Sequence, residues 1–291
     1  MRIVCAGAVV LHLWTTGVDA GQGVAAGVLA ETRAALGGEA ALRGVRALEM
    51  SGHASRSIGP MRVAAEFEIR LALPDRYVRV DRLELGGSRS EIVTGFIGEA
   101  LVQRLDGPGG VAIDPTAGLA PEARAAAART AVLGARQDLA RWLLGVFGDS
   151  AGVYPSEISS AGVAESPDGR ADVLAVDGPD GFHARLFIHA QTRLPLMVAW
   201  TAPDLLAAFR SQPVKGDTGA LAGKPVADRL IEQLAEPVEH RVYFSDYRRV
   251  GRFQWPFRIR RSVGGDVVED VMVDRFVINP DIDPRVFDPN R

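Results

Sequence analysis

The chain has 291 residues, 47% of them hydrophobic, and a formal charge of −3. That length admits one large β domain or two small ones, and the apolar fraction is enough for a sizeable core. The near-neutral balance gives no electrostatic case for nucleic acid or an anionic membrane surface.

The N-terminus, MRIVCAGAVVLHLWTTGVDAGQG, has the order of a signal peptide. Arg2 is a thin positive region, Ile3 to Trp14 is apolar, and Val18-x-Ala20 supplies small residues for cleavage. The apolar run is too short for a membrane-spanning helix, which needs about 20 residues. Export with removal of residues 1–20 is therefore expected, with a second candidate cut after Ala30. The mature protein is expected to be periplasmic or secreted and to have no transmembrane segment. The single cysteine, Cys5, lies inside the leader, so the mature chain holds no disulfide framework or thiol chemistry.

Residues 24–36 place Val24, Val28, Ala35 and Leu36 near helical spacing, and Gly37-Gly38 suits a left-handed stop. A short second turn carries Leu42, and strand character begins at Val45. In RVAAEFEIRLAL, Val63, Ala65, Phe67, Ile69, Leu71 and Leu73 alternate with a more polar set, as in a half-buried antiparallel strand. Further strands are expected at 77–85, 90–96 and 99–105, the last two joined at Gly98. GPGG at 107–110 breaks the pattern. The longest helix runs from Pro121 to Phe147. Val132, Ala135, Leu139, Trp142, Leu143 and Val146 form its apolar stripe, and Arg129, Arg136, Asp138 and Arg141 are assigned to the opposite face. Strands follow at 157–165, 171–176, 182–188, 195–200, 239–248, 257–263 and 267–278. The Gly-rich stretch at about 202–237 interrupts them as a flexible insertion or flap. RVDR (79–82) and RIRR (258–261) read as solvated strand faces.

Many strands at close spacing, short turns and one long mid-chain helix argue for a single α+β domain over 21–291, a curved antiparallel sheet with helices on its concave face. Helices do not alternate with strands, which disfavours parallel βαβ order.

No motif carries a convincing catalytic site. Gly148-Asp149-Ser150-Ala151-Gly152 fits G-x-S-x-G, but it follows a helix and precedes a strand, the reverse of a nucleophile elbow. GALAGK (219–224) has three residues between its glycines, where a phosphate loop has four, and Pro225 follows the lysine. His183 and His189 are six strand residues apart, about 20 Å, beyond one metal's reach. His53 and His240 belong to distant segments. NPDIDPRVFD lacks calcium-loop spacing, and two Asx-Pro turns explain it as well. No cofactor, metal ligand or catalytic residue is assigned.

The layout resembles a known family. An N-terminal helix with "ALGG", then "LPDRYVRV", "EIVTGFIGEALV", a mid-chain helix and "VYFSDYRRVGRFQWPFRIRRSVGG…FVINPDIDPRVF" are similar to the outer-membrane lipoprotein-sorting superfamily, the LolA-like half-barrels. The similarity covers most of residues 28–288. Pro74, Tyr77 and Arg79 match the family's strand after a proline turn, Gly98 a strand-pair turn, and Tyr247, Gly251, Trp255 and Pro256 a late hairpin. The resemblance implies an unclosed antiparallel barrel plugged by helices, with a cavity that in some members carries lipoprotein acyl chains or other lipids. The expected ligand is thus lipid-like, with a lipoprotein or other envelope protein as a further partner. The expected lining is Phe67, Ile69, Leu71, Leu139, Trp142, Leu143 and Val146, with few charges. The competing readings are an interaction module whose concave face is filled by its own side chains, and a hydrolase using Ser150.

Overall fold

A computed structural model describes residues 16–58, 61–85, 87–106, 116, 118–166, 169–203 and 237–289. The expected leader up to residue 15, the GPGG break and nearly all of the 202–237 insertion lie outside the described residues.

The chain opens with helix α1 (Thr16–Leu36) and the short α2 (Glu39–Arg43). Five strands follow: β1 (Ala47–Ile58), β2 (Met61–Ala72), β3 (Arg76–Leu85), β4 (Ser88–Ile97) and β5 (Ala100–Asp106). The long helix α3 (Pro121–Phe147) leads to β6 (Glu157–Ser166), β7 (Gly169–Asp177), β8 (His183–His189), β9 (Pro195–Pro203), β10 (Pro237–Val250), β11 (Phe253–Val263) and β12 (Asp266–Ile278). A 3-10 turn at Pro284–Phe287 ends the fold.

All twelve strands form one antiparallel sheet in the order β5-β4-β3-β2-β1-β12-β11-β10-β9-β8-β7-β6. Two meanders, β1–β5 and β6–β12, are joined where the first strand pairs with the last. The edge strands β5 and β6 do not pair, so the barrel stays open. α3 connects these two edges, and α1 packs chiefly on β6. The α+β half-barrel expected from the sequence is the architecture observed.

The helix ends have plain local causes. Proline opens α3 at its first turn, where no intrahelical N–H is needed. Gly148 closes it in the left-handed conformation, φ 74°, with its N–H on the Leu144 carbonyl. The C-terminal end of the sheet is pinned by Asn279. Its side chain accepts from the Arg46 and Ala47 N–H groups and donates to the Gly44 carbonyl.

One expectation shifts in α1, which starts at Thr16. Its buried line is Ala25, Leu29, Thr32 and Leu36, whereas Val24 is exposed. Small residues carry little hydrophobic signal, yet they permit the close approach that buries this stripe.

The sheet is also buried on both faces at one end. The concave face and α3 share the main core. A second core of Val78, Val80, Val93 and Val102 lies on the outer face of β3–β5, under Phe287 of the 3-10 turn. This second core reverses the expected inside and outside of β3, with consequences for the cavity.

Candidate functional site

In β2 the alternation behaves as the sequence reads. Ala65, Phe67, Ile69 and Leu71 are buried on the concave face. Strand register then extends this face sideways. Leu71 stands opposite Tyr77, Ile69 opposite Arg79 and Phe67 opposite Asp81. On the other side, Met50 stands opposite Ile69 and Phe276. Directly opposed residues share a face. Arg79 and Asp81 therefore point inward, because their neighbours Val78 and Val80 are taken by the outer core. RVDR is not simply a solvated face.

Between this face and α3 lies a cavity of about 370 Å³. Its floor includes Met50, Phe67, Ile69, Ile259 and Val271, and its roof Ala131, Ala135, Leu139 and Trp142 of α3. Four of the seven residues expected to line a cavity are there: Phe67, Ile69, Leu139 and Trp142. Leu71, Leu143 and Val146 are not. Each is fully enclosed in the packed core beyond the cavity.

The expectation of few charges is overturned. Arg56, Arg79, Asp138, Arg261 and Glu269 line the same space. Arg56 and Glu269 are opposed on β1 and β12, and Arg261 of β11 faces Glu269 from the other side. Glu269 accepts from Arg56 Nε at 2.7 Å and from Arg79 Nη2 at 2.7 Å. Asp81 accepts from Arg79 at 2.9 and 3.0 Å and pairs with Arg56 at 2.9 Å. Two guanidiniums and two carboxylates thus close on each other. Burial alone would raise the Glu269 carboxyl, but the charges and hydrogen bonds of Arg79 and Arg56 hold it at about 2. Burial pushes the Tyr77 hydroxyl up to about 12, with Arg79 pulling the other way.

A second polar corner sits at the β9–β11 side. Of the arginines assigned to the outer side of α3, Arg129 is exposed as expected, whereas Arg136 and Arg141 are inward props. Arg136 donates to the Gly98 carbonyl at 2.8 Å and lies 4.6 Å from the Phe96 ring centre. Arg141 is buried, 4.9 Å from the Phe182 ring and 4.8 Å from the Trp200 ring. Its Nη1 donates to Asp138 at 3.3 Å. The aromatic faces make a buried guanidinium tolerable on a helix that the hydrophobic stripe alone would call two-sided. Trp200 also stacks on His240 at 5.3 Å. Burial lowers the pKa of both Arg141 and His240, and Arg261 adds to the effect on each.

RIRR splits in the same way as RVDR. Arg258 is exposed and bonds Asp270 at 2.7 Å, while Arg261, two positions beyond buried Ile259, reaches the cavity. The missed signal in both cases is parity. Arg79 and Asp81 are in phase with Tyr77, and Arg261 is in phase with Trp255, Phe257 and Ile259.

The other chemical motifs sit elsewhere. Ser150 is buried and its hydroxyl donates to the Tyr154 carbonyl at 2.7 Å, within the loop that ends α3. His183 and His189 mark the two ends of β8. Among the described residues no group of three or more His, Cys, Asp or Glu side chains is placed to hold a metal ion. No helix among them is long and apolar enough to cross a membrane.

No family model matches the sequence, and no curated protein matches it. Solved structures do match in fold. A Vibrio parahaemolyticus structure named for an outer membrane lipoprotein-sorting protein domain aligns with a TM-score of 0.50 at 9% identity, covering 94% of this chain and 98% of the other. The chain has the LolA-like half-barrel fold. The LolA superfamily protein NE2245 from Nitrosomonas europaea aligns with a TM-score of 0.49 at 8% identity, over 91% of this chain and 97% of that one. A DUF1329 family protein from Desulfovibrio piger gives 0.48 at 10% identity, over 94% and 98%. In this LolA-like half-barrel, the space between α3 and the concave face joins apolar walls to polar groups, which makes it the candidate binding volume.

Proposed function

We propose that this protein is exported to the cell envelope and there binds a lipid-like ligand whose apolar chain lies between α3 and the concave sheet. The observation that carries the reading is the cavity of about 370 Å³, with Phe67, Ile69, Leu139 and Trp142 on its walls. This is within the size range of small-molecule sites, about 300–1,000 Å³. Burial supplies the driving force, at about 0.8 kcal/mol per methylene removed from water. A concave face packed solid by its own side chains, as an interaction module requires, does not fit such a space. A hydrolase reading fares worse, since the Ser150 hydroxyl is spent on a backbone carbonyl. The solved structure named for lipoprotein sorting gives the reading its biological direction.

The test starts from native protein purified from the envelope fraction. Its intact mass is expected to lack about the first 20 residues, and solvent extraction is expected to release lipid. The emptied protein, titrated with a fluorescent fatty acid, is expected to bind saturably and to change the emission of Trp142 and Trp200. Ala135→Trp, which fills the roof, is expected to abolish binding while leaving the unfolding midpoint nearly unchanged. No co-purifying lipid together with no saturable binding overturns the proposal.

A further inference from the structure

The charges around the cavity do not balance evenly. Arg56 and Arg79 are matched by Asp81 and Glu269 at 2.7 to 3.0 Å. At the second corner, Arg141 and Arg261 both turn to one carboxylate, Asp138, at 3.3 and 4.0 Å. The Nε atoms of Arg141 and Arg261 are buried and have no hydrogen-bond partner among the described residues. The Arg141 side chain is 8% exposed. The aromatic faces of Phe182 and Trp200 attract its charge, but they accept no in-plane N–H bond. Arg261 stands between this corner and the closed ion network, and its side chain, 36% exposed, borders the cavity. Among the described residues one guanidinium charge is therefore left over, partly stripped of water, beside an apolar chamber with room in it.

We propose that the ligand is an anionic amphiphile, with a carboxylate or phosphate head at Arg261 and the adjoining Arg141 corner, and with its chain over Phe67, Ile69, Leu139 and Trp142. This rests on the lipid-binding reading above and names its ligand class. A guanidinium gives an oxyanion paired, charge-assisted donors, which a neutral alcohol head engages only weakly. The ion network of Arg56, Arg79, Asp81 and Glu269 is already closed, so the anion site falls at the corner with the surplus charge.

The experiment uses the full mature chain after removal of lipid, titrated with three probes of one chain length: dodecanoate, dodecyl phosphate and dodecanol. At least one anion is expected to bind about tenfold more tightly than dodecanol, the size of one charged hydrogen bond. Preference for dodecanoate points to a fatty-acid head, and preference for dodecyl phosphate to a phosphate ester. Arg261→Gln is expected to bring the anions to the level of dodecanol and to leave dodecanol within about twofold. Arg261→Lys, which keeps the charge, is expected to retain part of the preference. Arg258→Gln removes an equal charge from the outer face and is expected to change none of the three. Equal binding of all three probes by the unmodified protein overturns the head-group site and leaves the cavity reading standing. An equal loss of anion binding in Arg258→Gln and Arg261→Gln also overturns it, by showing a general field effect. Failure of every probe to bind overturns both.

Discussion

The two halves of α3 cover the same sheet in different ways. From Leu139 to Phe147 the helix is enclosed almost all round. Leu143, Leu144 and Val146 have no exposure, and Phe147 meets Trp255 edge-on at 6.2 Å within a group that includes Phe253 and Phe276. From Pro121 to Asp138 only Val132 is buried, and the residues turned to the sheet include Ala131 and Ala135. Large side chains fill one half of the space, and small ones leave the other half as the cavity. The position of the cavity thus follows from side-chain volume along a single helix, since interiors pack densely wherever chains of suitable size are supplied.

Two leucines of α3 one turn apart test this contrast with the same chemistry. Leu143→Ala is expected to destabilise by about 4–5 kcal/mol, near the top of the range for such changes. Leu139→Ala, which enlarges an existing cavity, is expected to cost about 2–3 kcal/mol because fewer contacts are lost. Urea unfolding with unchanged slopes gives both values. Equal losses break the comparison, since they place Leu139 in a site as tightly packed as that of Leu143.

The same helix shows how much of the molecule was legible in its sequence. Its bounds, Pro121 and Phe147, were readable from a proline, a glycine and apolar spacing, because these signals are local. The β2 alternation was readable for the same reason. The fate of the arginines was not. Arg141 is held inside by rings from β9 and from the turn before β8, and no local pattern announces a distant aromatic face. In β3, Val78 and Val80 look like the core set, but a 3-10 turn some two hundred positions later covers them on the outside. That turn sends Arg79 and Asp81 inward. Of the candidate lining, Phe67, Ile69, Leu139 and Trp142 were reachable from hydrophobic phase. Whether Leu71, Leu143 and Val146 met a cavity or a neighbour depended on volumes across the fold.

The charged side of the open half gives a sharper, pH-dependent contrast with the apolar plug. The Glu269 carboxyl is held at about 2, below its ordinary 4.5. Its stabilising effect is fully present above pH 4.5 and is lost as pH falls toward 2. Linkage puts this contribution on the order of 3 kcal/mol. Glu269→Gln is expected to lower stability at pH 7 by a comparable amount and to flatten the acid limb between about pH 4.5 and 2. Leu143→Ala lowers the whole curve without changing that limb. Denaturant midpoints measured across pH 2–7 separate the two. An unchanged acid limb in Glu269→Gln shows that the closed network is not what carries acid sensitivity.

The smallest effects come from two glycines of α3, and they have opposite signs. Gly134 lies in the open half, where an added Cβ meets nothing within 4 Å. Helical glycine costs backbone entropy, so Gly134→Ala is expected to stabilise by about 0.5–1 kcal/mol. Gly145 lies in the closed half, where a Cβ falls on the ring of Phe244. That ring is 3% exposed and belongs to the main core. The neighbouring chain is also fixed, since the Tyr247 hydroxyl donates to the Pro195 carbonyl at 2.7 Å and lies 3.4 Å from the Gly145 carbonyl. Gly145→Ala gains the same helix propensity, but forces the helix off the sheet, and overpacking of this kind typically costs about 1–3 kcal/mol. A net loss of about 1–2 kcal/mol is therefore expected. Thermal unfolding of the two variants side by side reads the sign directly. A rise in both midpoints contradicts a closed half packed without slack. A fall in both contradicts an open half with room above the cavity.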